Sequence, residues 1–197
     1  MMYFTSDTHF NHRNVISYCN RPYANTKEMD EALIANWNAT VKKDNEHVYV
    51  LGDFAFAGKD YTKQILSQLK GYKILVKGNH DKDAKTMLDL GFDKVIENDR
   101  IKIGNHNVFV SHFPYHPVSQ HITFQGKVLY QGLHENVDQR YLHKRILDDG
   151  ETWLLHGHVH TAWKIKDRMI NVGVDQWGMK PVNHERLLQI IEGKRND

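Results

Sequence analysis

The chain has 197 residues, 40% of them hydrophobic and 25% charged, with a net charge of +2. That balance belongs to a globular protein with a substantial core, read as one domain over residues 1–197, and the charge is too small to announce nucleic acid or a membrane surface as a partner. The single cysteine, Cys19, excludes an internal disulfide and any thiolate-rich zinc site, whereas fourteen histidines are the unusual count.

Met1 to Ser6 reads as a short buried strand running into Asp7-Thr8-His9. The opening has no basic region and no long apolar run, so no signal peptide is expected there. No stretch approaches the roughly 18 apolar residues of a membrane span, and the cytoplasm is the expected compartment. Phe10 to Asn14 is polar and reads as a loop beside the strand end. Arg21-Pro22-Tyr23 reads as another, because the residue before proline avoids the helical region.

Thr26 to Val41 has the spacing of a helix, with Thr26 as N-cap, Glu28 and Asp30 in its first turn, and an apolar stripe of Met29, Leu33, Ile34, Trp37 and Val41. His47 to Leu51 is an apolar strand ending in Gly52-Asp53. Asp60 to Lys70 is a second helix, with Ile65, Leu66 and Leu69 inward and Gly71 as its stop. Tyr72 to Val76 is a third strand, ending in Gly78-Asn79-His80-Asp81, and Asp83 to Leu90 a third helix. Alternating strands and helices, with each strand a nearly continuous apolar run, predict a parallel sheet covered by helices. Ligands of such sheets gather beyond the carboxyl ends of the strands.

The second half changes character. Arg100–Ile103 and Asn107–Val110 flank Gly104-Asn105 as an antiparallel hairpin ending in Ser111-His112. Trp153–His156, Ala162–Lys166 and Met169–Val174 read as further strands. Asn183–Glu192 reads as a closing helix capped by Asn183, with Leu187–Ile191 as a strand the alternative. Tyr115 to Gly132 mixes aromatics, prolines and histidines without a readable period. His134 to Leu147 reads as a helix or a long ordered loop, its Arg140, Lys144 and Arg145 as a solvated face. The fold class expected is α/β, a four-layer α-β-β-α sandwich of two packed mixed sheets with the site at the carboxyl ends of the strands.

The fifth strand end of interest is Leu154-Leu155-His156-Gly157-His158-Val159-His160. Side chains two apart on an extended chain point the same way, so His158 and His160 are expected to reach one point, and Gly157 to let the backbone approach whatever they hold. Imidazole is the commonest metal ligand among side chains. Asp7 and His9 share the same spacing. Counting Asp53, Asn79 with His80 and Asp81, and His112, five strand ends present metal-competent groups.

These blocks resemble the calcineurin-like metallophosphoesterases, whose signature runs Asp-X-His, Gly-Asp, Gly-Asn-His-Asp/Glu, a lone His and Gly-His-X-His. Here they stand in order as Asp7-Thr8-His9, Gly52-Asp53, Gly78-Asn79-His80-Asp81, His112 and Gly157-His158-Val159-His160. The resemblance implies two divalent transition-metal ions, manganese the first expectation and iron, nickel, zinc or cobalt the alternatives. It assigns Asp7, His9, Asp53 and His160 to one ion and Asp53, Asn79, His112 and His158 to the other, with Asp53 bridging. It implies hydrolysis of a phosphoester by a hydroxide shared between the ions, with His80 facing the phosphate and Asp81 orienting the His80 imidazole.

Asn11, His12, Arg13 and Arg21 are candidate phosphate or substrate contacts near the first strand end. His116, His121 and Tyr141 are weaker candidates for the substrate pocket, His156 a supporting or core residue, and Cys19 an inert one. The expected substrate is a small phosphorylated metabolite or nucleotide, a diester rather than a monoester, because no cluster of cations stands ready for a dianion. A nuclease would carry a basic track that the +2 charge disfavours. A non-catalytic interaction module would have lost ligands, and a structural zinc protein would use thiolates.

Overall fold

The computed structural model describes residues 1–116, 121–124, 127–130 and 139–194, the two middle segments by backbone alone. In chain order the elements are β1 (Met2–Thr5), α1 (Arg13–Tyr18), α2 (Thr26–Thr40), β2 (His47–Val50), α3 (Lys59–Gln68), β3 (Tyr72–Val76), α4 (Ala84–Leu90), β4 (Lys94–Ile96), β5 (Asn98–Ile103), β6 (His106–Ser111), β7 (His121–Phe124), β8 (Lys127–Tyr130), β9 (Trp153–His156), β10 (Ile165–Lys166), β11 (Met169–Asn171), β12 (Val182–Asn183) and α5 (His184–Ile191). The first sheet has the order β12-β1-β2-β3-β4, parallel except for β12, and the second has the order β10-β11-β9-β6-β5. In the second, β6, β9 and β11 run parallel, and β5 and β10 close it antiparallel. β7 and β8 form a separate hairpin.

Two mixed sheets packed face to face follow from where the apolar side chains go. One cluster sits under the helices, where Tyr3, Val48 and Val50 of the first sheet meet Met29, Leu33, Trp37, Ile65, Leu66 and Met87. The other fills the space between the sheets with Phe4, Leu51 and Val76 from one side and Val108, Val110, Leu155 and Ile170 from the other, and α5 adds Leu187, Ile190 and Ile191. β1 therefore needs apolar side chains on both faces, which is why its run reads as continuous.

Several boundaries differ from expectation. The N-cap of α2 is Asn25, whose side chain accepts from the Glu28 amide at 3.0 Å, not Thr26. Asp30 is not a first-turn acid facing water but is buried, where it accepts the Asn11 amide and the Tyr61 hydroxyl. The loop expected over Phe10–Asn14 gives way at Arg13 to a short helix, Arg13–Tyr18; it has no side-chain cap and no acid in its first turn, so no start signal marks it. Asn183 caps α5 as expected, accepting from Arg186, and the strand alternative is excluded. The strand expected over Ala162–Lys166 shrinks to β10, and Gln139–Lys144 is a 3-10 turn, the rest of the 134–138 stretch lying outside the described residues.

Candidate metal centre

The expected presentation of ligands along extended strands is not what the backbone does. Asp7, His9, Asp53, His158 and His160 all lie beyond their strands with φ of 54°, 49°, 53°, 72° and 47°. Left-handed backbone at non-glycine residues is uncommon and concentrates at functional sites. The chain turns sharply at each of these five candidate ligands, and the first turns lock together: the Asp7 amide donates to the Gly52 carbonyl, His9 to Asp53 and Phe10 to Phe54, at 2.9–3.1 Å. The His158 amide donates to the Asp7 carboxylate, at 3.2 and 3.0 Å to its two oxygens.

The turns bring the seven expected ligands to one place. Asp53 Oδ2 lies 3.7 Å from His9 Nε2 and 3.5 Å from His112 Nε2. His160 Nε2 is 3.9 Å from Asp7 Oδ1. His9 stacks on His160 at 5.1 Å and His158 meets His112 edge-on at 5.1 Å. Most of these donor pairs are too far apart for hydrogen bonds. They suit ligands of a common ion instead, since two bonds of about 2.1 Å at a tetrahedral angle separate donors by roughly 3.4 Å. Among the described residues three groups satisfy metal-ligand spacing: Asp7 with His9 and His160, Asp7 with Asp53 and His112, and Cys19 with His160 and Asp175. Asp7 thus reaches toward both halves of the site.

The donors themselves call for cations. Both nitrogens of His9 are buried without a hydrogen-bond partner, and burial, reinforced by His160 and Arg21, lowers its pKa to about 2, so the ring is neutral and has a lone pair to offer a cation. His112 Nδ1 faces the Leu51 carbonyl at 2.8 Å, which can only accept. Nε2 of the same ring faces Asn79 Oδ1 at 3.0 Å, so both ring nitrogens of His112 meet oxygens. For His160, burial disfavours the charged form. Its bond to Asp175, the Cys19 thiol and the charge of Asp7 outweigh burial and raise its pKa to about 10; surroundings that attract a proton so strongly also attract a metal cation. The residues present fit a nitrogen and oxygen site for divalent transition metals.

A calcineurin-like phosphoesterase family model matches residues 2–182. The chain belongs to that family. It is also 32% identical to the uncharacterized protein MJ1445 of Methanocaldococcus jannaschii, over 97% of this chain and 91% of that one. The crystal structure of AQ665 from Aquifex aeolicus, a protein of unknown function, superimposes with a TM-score of 0.70 at 28% identity, covering 96% of this chain and 98% of that one. No helix among the described residues is long and apolar enough to cross a membrane.

For this member of the calcineurin-like phosphoesterases, two expected roles need correction. Arg21 is not an exposed phosphate contact. It is 4% exposed, pairs with Asp175 through Nε at 2.8 Å and Nη2 at 3.1 Å, and donates to the carbonyls of Asp7 and Thr8. Five donors in a rigid fork let one guanidinium hold a carboxylate and a turn together. Asp81 neither orients His80 nor caps α4, a role Asp83 fills; its oxygens accept the amides of Asp53, Phe54 and Gly78 at 2.8–3.0 Å. It clips the loop after β2 to the loop after β3.

Asp175 is the residue that sequence reasoning missed. It accepts from His160 Nδ1 at 3.1 Å and from Arg21 at once, so it sets the His160 ring and ties it to the Asp7 turn. Its only sequence signal is a lone acid shortly after the β11 strand. Cys19, expected to be inert, brings its thiol into ligand range of His160 and Asp175.

Of the remaining candidates, Asn11 and His80 line a cavity of about 330 Å³, together with Ala55, Phe56, Ala57, Gly58 and Lys82. The His80 amide donates to Asp53 Oδ1 at 2.9 Å while its ring, 44% exposed, sits with Nε2 4.0 Å from Asp53 Oδ2. His12 stacks on Phe56, and Arg13 is exposed on α1. Tyr141 stacks on Phe113 at 5.2 Å and reaches the edge of His158. His116 is buried, His156 is fully buried with Nδ1 against the Gly157 carbonyl, and the His121 side chain lies outside the described residues.

Gly157 allows a close approach, but to protein. A Cβ there would collide with Ser6 Oγ and Asp7 Oδ2. Gly157→Ala is expected to push β1's end away from the His158 turn, lowering the melting temperature and metal affinity together. Overpacking of this kind costs about 1–3 kcal/mol. Thermal melts with and without manganese check it; full metal affinity in the variant would contradict the packing described.

Proposed function

We propose that the protein is a dinuclear metal-dependent phosphoesterase acting on a small phosphorylated metabolite or nucleotide, diesters in preference to monoesters, with manganese the first metal to test. The observation that carries this reading is Asp53 Oδ2 lying within 3.7 Å of His9 Nε2 and 3.5 Å of His112 Nε2, the position of a carboxylate shared between two cations. Bound there, two ions would supply a water made nucleophilic near neutral pH and positive charge for the phosphoryl oxygens. The chain's own groups do the rest. His9, Asp53, Asp7 and His160 would hold one ion; Asp53, Asn79, His112 and His158 would hold the other. His80 faces the cavity, its backbone anchored on Asp53, and its imidazole donates a proton to the leaving oxygen or a hydrogen bond to the phosphoryl group.

The preference for diesters rests on charge. Arg21 is committed to Asp175, and Lys82 is the single cation lining the cavity among the described residues. A monoanionic diester asks for less positive charge than a dianionic monoester.

Purified protein analysed for metals and assayed with chromogenic mono- and diesters in added Mn²⁺ tests the reading. Chelator-sensitive hydrolysis is expected, and no hydrolysis of any ester would overturn it. Activity confined to polynucleotides would favour the nuclease instead. His80→Ala is expected to lower turnover by about 10², the scale of general acid catalysis, with metal content unchanged; loss of metal in that variant would show that His80 has been given the wrong role.

A further inference from the structure

Phe56 is the feature of the site that metal chemistry does not use. It is 52% exposed, and it is the one exposed large apolar side chain among the described residues that lines the His80 cavity. It is also held still. Its amide donates to the Phe10 carbonyl at 2.8 Å, and the neighbouring Ala55 pairs with Phe10 in a parallel bridge. Its ring stacks on His12 with centroids 4.5 Å apart and planes 21° apart, and meets His80 edge-on at 5.6 Å. His12 is set from behind, because the Asn11 amide is anchored on buried Asp30.

A fixed, exposed aromatic ring costs hydration free energy unless something covers it. The cavity pairs an apolar wall of Ala55, Phe56 and Ala57 with the polar groups of Asn11, His80 and Lys82, which a hydrocarbon chain would leave unpaired. At about 330 Å³ it stands at the small end of ligand sites. A flat ring with polar edges fits such a place, and nucleotides are a broad class of phosphorylated metabolite that carries one. We infer that Phe56 is the base-stacking platform of the substrate site, so that the phosphoester hydrolysed here is a nucleotide whose base lies on Phe56 with its phosphate beside His80 and Lys82. This rests on the phosphoesterase reading above and adds the substrate class to it.

Matched substrates test it on the manganese-loaded protein: adenosine 5′-monophosphate against glycerol 3-phosphate, and the methyl ester of each. The wild type is expected to prefer the adenosine member of whichever pair it hydrolyses. Phe56→Ala is expected to reduce that preference about tenfold, mainly through KM, on the scale of one base stacked on an aromatic ring. Phe56→Trp should retain it. Equal preference in wild type and Phe56→Ala, with hydrolysis intact, overturns the platform and leaves the phosphoesterase standing. If no ester is hydrolysed, the activity reading has failed, and calorimetric binding of adenosine 5′-monophosphate decides the platform alone. Binding weakened about tenfold by Phe56→Ala supports it; equal affinities, or none for the wild type, overturn it.

Discussion

Asp175→Ala is expected to cost about 3–5 kcal/mol of stability, because it strips the partner from a guanidinium buried at 0% side-chain exposure. The same change is expected to weaken metal binding by about 10- to 100-fold, the usual scale for losing the group that orients a ligating histidine. The two effects have separate causes and can be separated. Arg21 reaches Asp175 and the Asp7 and Thr8 carbonyls, whereas His160 Nδ1 reaches Asp175 alone among these. In Arg21→Met combined with Asp175→Leu, the uncompensated charge is gone, so much of the stability should return. The His160 ring still lacks its partner, so metal affinity should stay low. Thermal melts of the apo-protein and manganese titrations read the two quantities. A single variant with wild-type affinity would show that Asp175 does not position His160.

Asp53→Asn is expected to have the largest effect on the metal centre. Two divalent ions about 4 Å apart repel by roughly 16 kcal/mol at an effective dielectric of 20, and a shared carboxylate is what offsets this. Asparagine keeps the shape and can still accept the His80 amide bond that Asp53 Oδ1 receives at 2.9 Å, so the loop should hold. What is lost is the negative charge between His9 and His112. Bound manganese should fall from two ions per chain to one or fewer. Phosphoester turnover should fall by about 10²–10³, the scale of removing one group that stabilises transition-state charge. Elemental analysis together with steady-state rates reads both; two ions retained with low activity would place Asp53 in chemistry and not in bridging.

The residues that carry these effects differ in how visible they are in the sequence. Asp7, His9, Asp53, Asn79, His112, His158 and His160 each follow an apolar strand, and a strand end is legible because hydrophobic runs are. The left-handed turns at Asp7, His9, Asp53, His158 and His160 are not legible there. Nothing in Asp7-Thr8-His9 marks three residues that leave the strand with φ near +50° at both ends, so the chain looked merely extended. Asp175 acts on Arg21 across 154 residues, a relation that no local pattern encodes. Arg21 looked like a loop cation and Asp81 like a partner of His80 for the same reason, since burial and partner choice are set by packing. The parallel half of the fold was readable from its alternating strands and helices. β12, two residues long and paired only to β1, is too short to leave a period.

Everything proposed for the site depends on a pair of cations held around one aspartate. Crystals soaked in manganese and measured for anomalous scattering test that most directly. Two peaks about 3.5–4 Å apart, one beside His9 and His160, the other beside Asn79 and His112, with Asp53 between them, are the expected result. A single peak, or density away from Asp53, would contradict the account.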